Sequence, residues 1–236
     1  DELKSRGLGD VYKRQGIVEA RAYQLEAVDE ALSSSMLLVM PTAAGKTAVI
    51  WMMISEKLSR GGRVMMIAPT VGLVEQHIRS LREVLKLKDG IVQITGQLPP
   101  AKRVEKWDGA RLVVATPKVV VNDVSNGVVD LSDFSVLVVD EAHHCTGDHA
   151  MAQVCDNYIS KNVRPHILGV TASPGHRPEA VREICKRTGA VRIHIRNSAE
   201  EMLSGYLSEL EVREITVSVP DAVSYTHLTL PTSQYV

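Results

Sequence analysis

Two short stretches carry residue types that could do chemistry together. The octapeptide MPTAAGKT, residues 40–47, stands between an apolar run and a helix-like stretch. Its end, Gly45-Lys46-Thr47, has the parts of a phosphate-binding loop: backbone amides at a helix N-terminus, a lysine cation for the β- and γ-phosphates, and a hydroxyl for Mg²⁺. Met40 replaces the first glycine of G-x-x-x-x-G-K-[ST], a minor loss because the cradling amides come mainly from 42–47. Ala43 and Ala44 matter more, since they are small but lack glycine's freedom at positive φ. Downstream, VLVVDEAH (136–143) is an apolar run ending in adjacent carboxylates. An acid at a strand end beside a phosphate loop can hold Mg²⁺ through water, the role expected of Asp140. Glu141 can polarise an attacking water as general base. The plain alternative is a solvated acidic turn, and the upstream phosphate loop weighs against it.

His143, His144, Cys145 and His149 form a dense His/Cys cluster that invites a zinc reading. Adjacent His143 and His144 point in different directions, and no second CxxC or HxxxH pair completes a tetrahedral set. Nothing nearby marks Cys145 as an acyl-transfer nucleophile either.

Short Val/Ile/Leu/Met runs alternate with helical patterns, as expected of a parallel sheet buried on both faces. Strands are predicted at Met36–Met40, Val64–Ala68, Ile91–Thr95, Leu112–Ala115, Val136–Asp140, His166–Val170 and Val191–Ile195. Helices are predicted near 22–32, 46–59, 71–86, 100–107, 117–124, 148–160 and 178–188, with Gly61-Gly62 and Gly189 as stops and Pro178 in a first turn. The tail, 196–222, suggests a short helix and a final strand at Glu211–Val219. The helix at 71–86, with Leu73, Val74, His77, Ile78, Leu81 and Leu85 on one broad face, reads as core, as do Met52, Met53, Met65 and Met66. The fold class is α/β, an open doubly wound sheet whose ligands sit beyond the C-terminal strand ends.

The net charge of the 236 residues is −1, which argues against a broad nucleic-acid footprint and confines any such binding to local contacts. Three cysteines, an odd and sparse set, point to a reducing, cytoplasmic setting (nucleoid-associated in a prokaryote). No apolar run approaches the eighteen or so residues of a membrane span. The termini read differently from the rest. SRGLGDVYKRQ (5–15) and VSYTHL (223–228) can be back-translated into DNA strings that are partly reverse complements, as adapters from a sequencing library would be. About 1–15 and 223–236 are therefore set aside. Residues 16–222 are expected to form one domain of a protein that continues beyond both ends.

LVMPTAAGKT, VVDEAH and GVTASPG, in that order and spacing, resemble motifs I, II and III of superfamily 2 helicases. IVEARAYQLEAV is similar to the adenine-reading Q-type motif, MIAPTVGLVEQH to motif Ia and VVATPKVVVND to motif Ib. TGQLPPAKRVEKW and DEAHHCTGDHAMAQV resemble the branch that contains the archaeal Hef helicase–nuclease and the Fanconi anaemia M-type translocase. The TGQLPPAKR-like segment sets this branch apart from restriction-enzyme motor subunits.

The resemblance implies the first RecA-like domain of a P-loop NTPase, with ATP and Mg²⁺ as cofactors. Arg21 and Gln24 would recognise adenine, Met40, Pro41, Thr42, Ala43, Ala44, Gly45, Lys46 and Thr47 would surround the phosphates, and Thr47 and Asp140 would hold Mg²⁺. Lys46, Asp140 and Glu141 would be catalytic. His143 would link the nucleotide to Thr171, Ala172 and Ser173, while Pro69, Thr70, Thr116 and Pro117 would lie along a nucleic-acid strand, gripping backbone without reading sequence. The implied activity is ATP-driven movement on forked or branched DNA. It needs a second RecA-like domain that supplies an arginine finger, and the residues after Ser173-Pro174 are too few to form one. A duplex-RNA-stimulated ATPase of the same superfamily and a non-catalytic binding module are the alternatives. Some positions keep simpler readings: Gln24 as a surface residue of an amphipathic helix, Thr116 as a helix cap, and 171–174 as an ordinary strand exit. The sequence departs from the family at Ala43 (usually Gly), Val71 (often basic) and His144 (commonly Arg in the Hef branch).

Overall fold

The computed structural model describes residues 21–41, 44–85, 90–174, 178–195 and 217–218. The adapter-like terminal segments and the short helix expected within 196–222 lie outside the described residues. Short, largely apolar runs of four or five residues make most of the strands: β1 (Met36–Val39), β2 (Val64–Ile67), β3 (Ile91–Ile94), β4 (Leu112–Ala115), β5 (Val136–Asp140), β6 (Ile167–Thr171), β7 (Arg192–Ile195) and β8 (Val217–Ser218). They form one sheet in the order β3-β4-β2-β5-β6-β1-β7-β8. All neighbours up to β7 pair in parallel, and β8, inside the predicted final strand, runs antiparallel to β7.

Among the described residues seven helices cover the sheet: α1 (Ala22–Ser33), α2 (Lys46–Ser59), α3 (Val71–Leu85), α4 (Pro100–Asp108), α5 (Pro117–Ser125), α6 (Ala150–Lys161) and α7 (Pro178–Thr188). Pro100, Pro117 and Pro178 each open a helix, where the missing N–H is not needed. Period-two alternation sorts the strand residues by face. Met36, Leu38, Val64, Met66, Val136 and Val138 pack with α1, α2 and α3, whereas Leu37, Met65, Ile67, Leu137 and Val139 pack with residues of α5, α6 and α7. A sheet buried on both sides explains why its strands read as continuous apolar runs.

Two short 3-10 turns, Leu131–Asp133 and Ala142–His144, were not predicted. The expected helix at 148–160 begins instead at Ala150, because the His149 ring caps it by accepting from the Met151 N–H. On the α5 face, Arg103 of α4 makes a two-pronged ion pair with Asp123 of α5 at 2.8 and 2.7 Å, and the Trp107 indole donates to the same carboxylate.

Candidate nucleotide and nucleic-acid site

Strand register brings the chemistry to one edge. Val39 of β1 pairs with Thr171 of β6, and Val170 of β6 pairs with Asp140 of β5. The ends of β1, β6 and β5 therefore stand in a row, tied further by Met40 N–H to Thr171 O at 3.2 Å. Next in the sheet come β2 and β4, where Ile67 pairs with Ala115. They place Pro69-Thr70 beside Thr116-Pro117. Residues from five separate sequence stretches thus form one continuous edge.

The loop after β1 is shaped from outside by α1. Tyr23 Oη donates to Ala44 O at 3.0 Å, and the Gln24 amide lies 3.4 Å from both Ala44 O and Gly45 O. Because peptide C=O and N–H point in opposite directions, drawing these carbonyls toward α1 turns the following N–H groups away from it. Gly45 sits at φ 77°, and a Cβ there would come within 2.3 Å of Gln24 Nε2. Only glycine fits that position without strain. Gln24 is 3% exposed, which corrects its reading as a surface residue. Its Oε1 also accepts from Arg21 N–H, and Arg21 in turn donates to Tyr23 Oη. Thr42 and Ala43 lie outside the described residues; Pro41 and Thr47 flank the loop half-buried.

Lys46, the first residue of α2, donates through Nζ to Met40 O at 2.9 Å. Burial lowers its pKa, while the nearby charges of Glu141 and Asp140 oppose that shift. The phosphate-loop cation and the acid pair therefore share one electrostatic environment.

Asp140 is nearly buried at the end of β5. Glu141 follows at φ 53° and ψ 48°, a left-handed conformation taken by no other non-glycine among the described residues. Such backbones persist only where their surroundings impose them, and they cluster at functional sites. The turn carries His143 back to the sheet. The Thr171 hydroxyl donates to Ser173 O at 3.0 Å, so the His143 Nδ1–H is the donor in its 3.0 Å contact with Thr171 Oγ1. The same Nδ1 lies 3.2 Å from Glu141 Oε2. His143 thus joins Glu141 to the Thr171-Ala172-Ser173 exit by a chain of contacts, and the exit closes with Ser173 N–H to Thr171 Oγ1.

Thr70 is exposed and caps α3 by accepting from Leu73 N–H. Thr116 precedes α5 with no capping bond from its side chain, so the expected cap role is carried by its backbone alone. Pro117 is buried at the first position of α5, which leaves Thr116 as the more accessible of that pair. His144 stacks on His149 at 5.1 Å, with its pKa lowered by burial and by the neighbouring histidines. Cys145 is buried against Cys155, with sulfurs 3.8 Å apart, where no substrate can reach it.

The feature missed in the sequence is His77. Its place on the apolar face of α3 is as read, but its Nε2 meets Asp140 Oδ2 at 2.7 Å. The helix packs mainly on β3 and β4, and sequence gives no strand order, so nothing indicated that His77 would reach the end of β5.

A parallel sheet with this loop after β1 and an acid pair after β5 defines a RecA-like P-loop domain. Residues 21–181 match the DEAD/DEAH box helicase family, and the chain belongs to that family. It resembles the Hef helicase domain of Pyrococcus furiosus with a TM-score of 0.79 and 32% identity, covering 84% of this chain and 43% of that one. It is 37% identical to a Methanocaldococcus jannaschii protein named as an ATP-dependent RNA helicase, over 86% of this chain and 26% of the relative. It is also 32% identical to the Drosophila melanogaster ATP-dependent DNA helicase Fancm, over 86% of this chain and 14% of the relative. The chain thus spans about a quarter or less of these curated relatives.

The residues present fit a magnesium nucleotide. The loop offers a helix N-terminus, a cation and a hydroxyl, with Asp140 opposite. No cluster of three metal-binding side chains exists among the described residues. Mg²⁺ does not require one, since it commonly takes one or two carboxylates and completes its shell with phosphates and water. No helix among the described residues is long and apolar enough to cross a membrane.

Proposed function

We propose that this chain carries the ATP-binding half of an ATP-dependent DNA helicase or translocase acting on forked or branched DNA. The observation that carries this reading is the continuous edge: the nucleotide residues on β1, β6 and β5 adjoin the backbone-contact candidates on β2 and β4. Bound Mg-ATP supplies the phosphoanhydride whose cleavage drives movement. Lys46 and the loop amides hold the phosphates, and Thr47 and Asp140 hold the cation. Arg21 and Gln24 face the adenine end; Gln24 also braces the loop, so base recognition and loop shape are joined in one side chain. Glu141 takes the proton from the attacking water, its orientation set by the left-handed turn and by His143. His143 passes the state of this site to Thr171, Ala172 and Ser173. Pro69, Thr70, Thr116 and Pro117 grip a strand through backbone and hydroxyl groups, which suits a motor that must not read sequence.

A second RecA-like domain completes the cleft and supplies an arginine to the transferring phosphoryl group. Residues 16–222 are the native part of the chain in this reading. The M. jannaschii relative, named as an RNA helicase, keeps RNA as a second candidate polymer. The test is steady-state ATP hydrolysis by the chain with forked DNA, with duplex RNA and with neither. Turnover close to background is expected in all three, because the arginine comes from the second domain. Fast DNA-stimulated turnover would show that this half is self-sufficient, and stimulation by RNA alone would move the substrate to RNA.

A further inference from the structure

His77 stands in the second turn of α3, on the face turned to the sheet, and is 5% exposed. Its imidazole and the Asp140 carboxylate are both nearly buried and meet at 2.7 Å across 63 residues of sequence. A carboxylate oxygen only accepts, so Nε2–H donates and Oδ2 is occupied by the protein itself. Oδ1 is the oxygen left for other work. Packing does not require a histidine here: Val74, Ile78 and Leu81 around it are all buried and apolar. A polar ring in such a stripe costs desolvation unless its hydrogen bond returns something specific.

We propose that His77 is a positioning residue for the magnesium nucleotide: it holds Asp140 by Oδ2 and so presents Oδ1 to the cation. The inference rests on the reading of Asp140 as a Mg²⁺ holder. Outer partners of metal-binding carboxylates commonly have this role, and their loss weakens metal binding without removing a ligand. The placement has a further consequence. α3 begins directly after Thr70, so one helix carries a candidate strand contact at its start and the partner of Asp140 in its second turn. A tug on the strand reaches the cation site through a single rigid element.

The test is a MgCl₂ titration of a fluorescent ATP analogue bound to the full chain, repeated in EDTA, for wild type, His77→Leu, His77→Asn and His77→Gln. Melting curves accompany each. Glutamine can place its amide nitrogen near the Nε2 position, whereas asparagine is too short to reach. His77→Leu and His77→Asn are expected to raise the Mg²⁺ midpoint about 10- to 100-fold while metal-free nucleotide affinity stays at the wild-type value. His77→Gln is expected to restore the midpoint. Should leucine prevent folding, the Asn and Gln pair carries the comparison. An unchanged midpoint in His77→Asn overturns the proposal, as does an equal loss of affinity in EDTA, which marks a merely structural role. A wild-type chain whose nucleotide binding ignores Mg²⁺ removes the underlying reading of Asp140 as well, so the two failures are distinguishable.

Discussion

Single side chains in this site work mostly by binding the protein. Gln24 braces the loop, His143 bridges Glu141 and Thr171, and Lys46 rests on Met40 O. Lys46 was singled out from the residues themselves because phosphate chemistry restricts the choice, whereas Gln24 and His143 came forward only through the family resemblance. Their protein partners were not legible in the sequence, since a hydrogen bond across 20 or 28 residues leaves no local pattern. His166 shows the same logic away from the site. Its Nε2–H donates to Ala31 O at 2.6 Å and its Nδ1 accepts from Lys57 Nζ at 3.0 Å, an arrangement only the neutral ring can make. Burial, and then the Lys57 charge, lower its pKa. The unfolded chain binds the proton near its ordinary value while the folded protein resists, so stability falls as pH drops below about 6.5 and returns above it. Urea midpoints at about pH 7.5 and pH 5.5 should show a smaller acid loss in His166→Gln than in wild type. Equal losses in the two proteins would show that His166 does not set the dependence.

At the scale of elements, positions were readable and partnerships were not. The predicted strands from β1 to β7 all formed, each end within one residue of its expected place, because apolar runs between helix stops are strong local signals. The tail helix lies outside the described residues, and the 3-10 turn at Ala142–His144 was invisible because it depends on the left-handed Glu141 before it. The tie between α4 and α5 was equally hidden, although both helices were expected. Asp123 is 1% exposed and accepts from Arg103 and from the Trp107 indole. Removing it strands a buried guanidinium and an indole N–H together. Asp123→Ala should therefore cost about 3–5 kcal/mol in urea denaturation. A change below about 1 kcal/mol would mean that water replaces the carboxylate.

For the whole molecule, strand order turns scattered motifs into a device. Read along the sheet from β4 to β1, the edge passes from strand-contact candidates to the acid pair, then to Thr171 and the phosphate loop. Sequence order runs quite differently, so this continuity became visible only with the crossovers in place. In the proposed reading a near-neutral chain is no obstacle: a few residues at one edge would suffice to hold a nucleic-acid backbone, and the remaining surface would need no positive field. The central claim is that this edge begins at a functional nucleotide site centred on Lys46. Equilibrium binding of a fluorescent ATP analogue in Mg²⁺, comparing the chain with Lys46→Ala, tests it most directly. Loss of one charge-assisted contact to phosphate should weaken binding by about tenfold or more, with the fold intact by circular dichroism. Equal affinity in the two proteins would contradict the claim, and would leave the loop after β1 a structural turn.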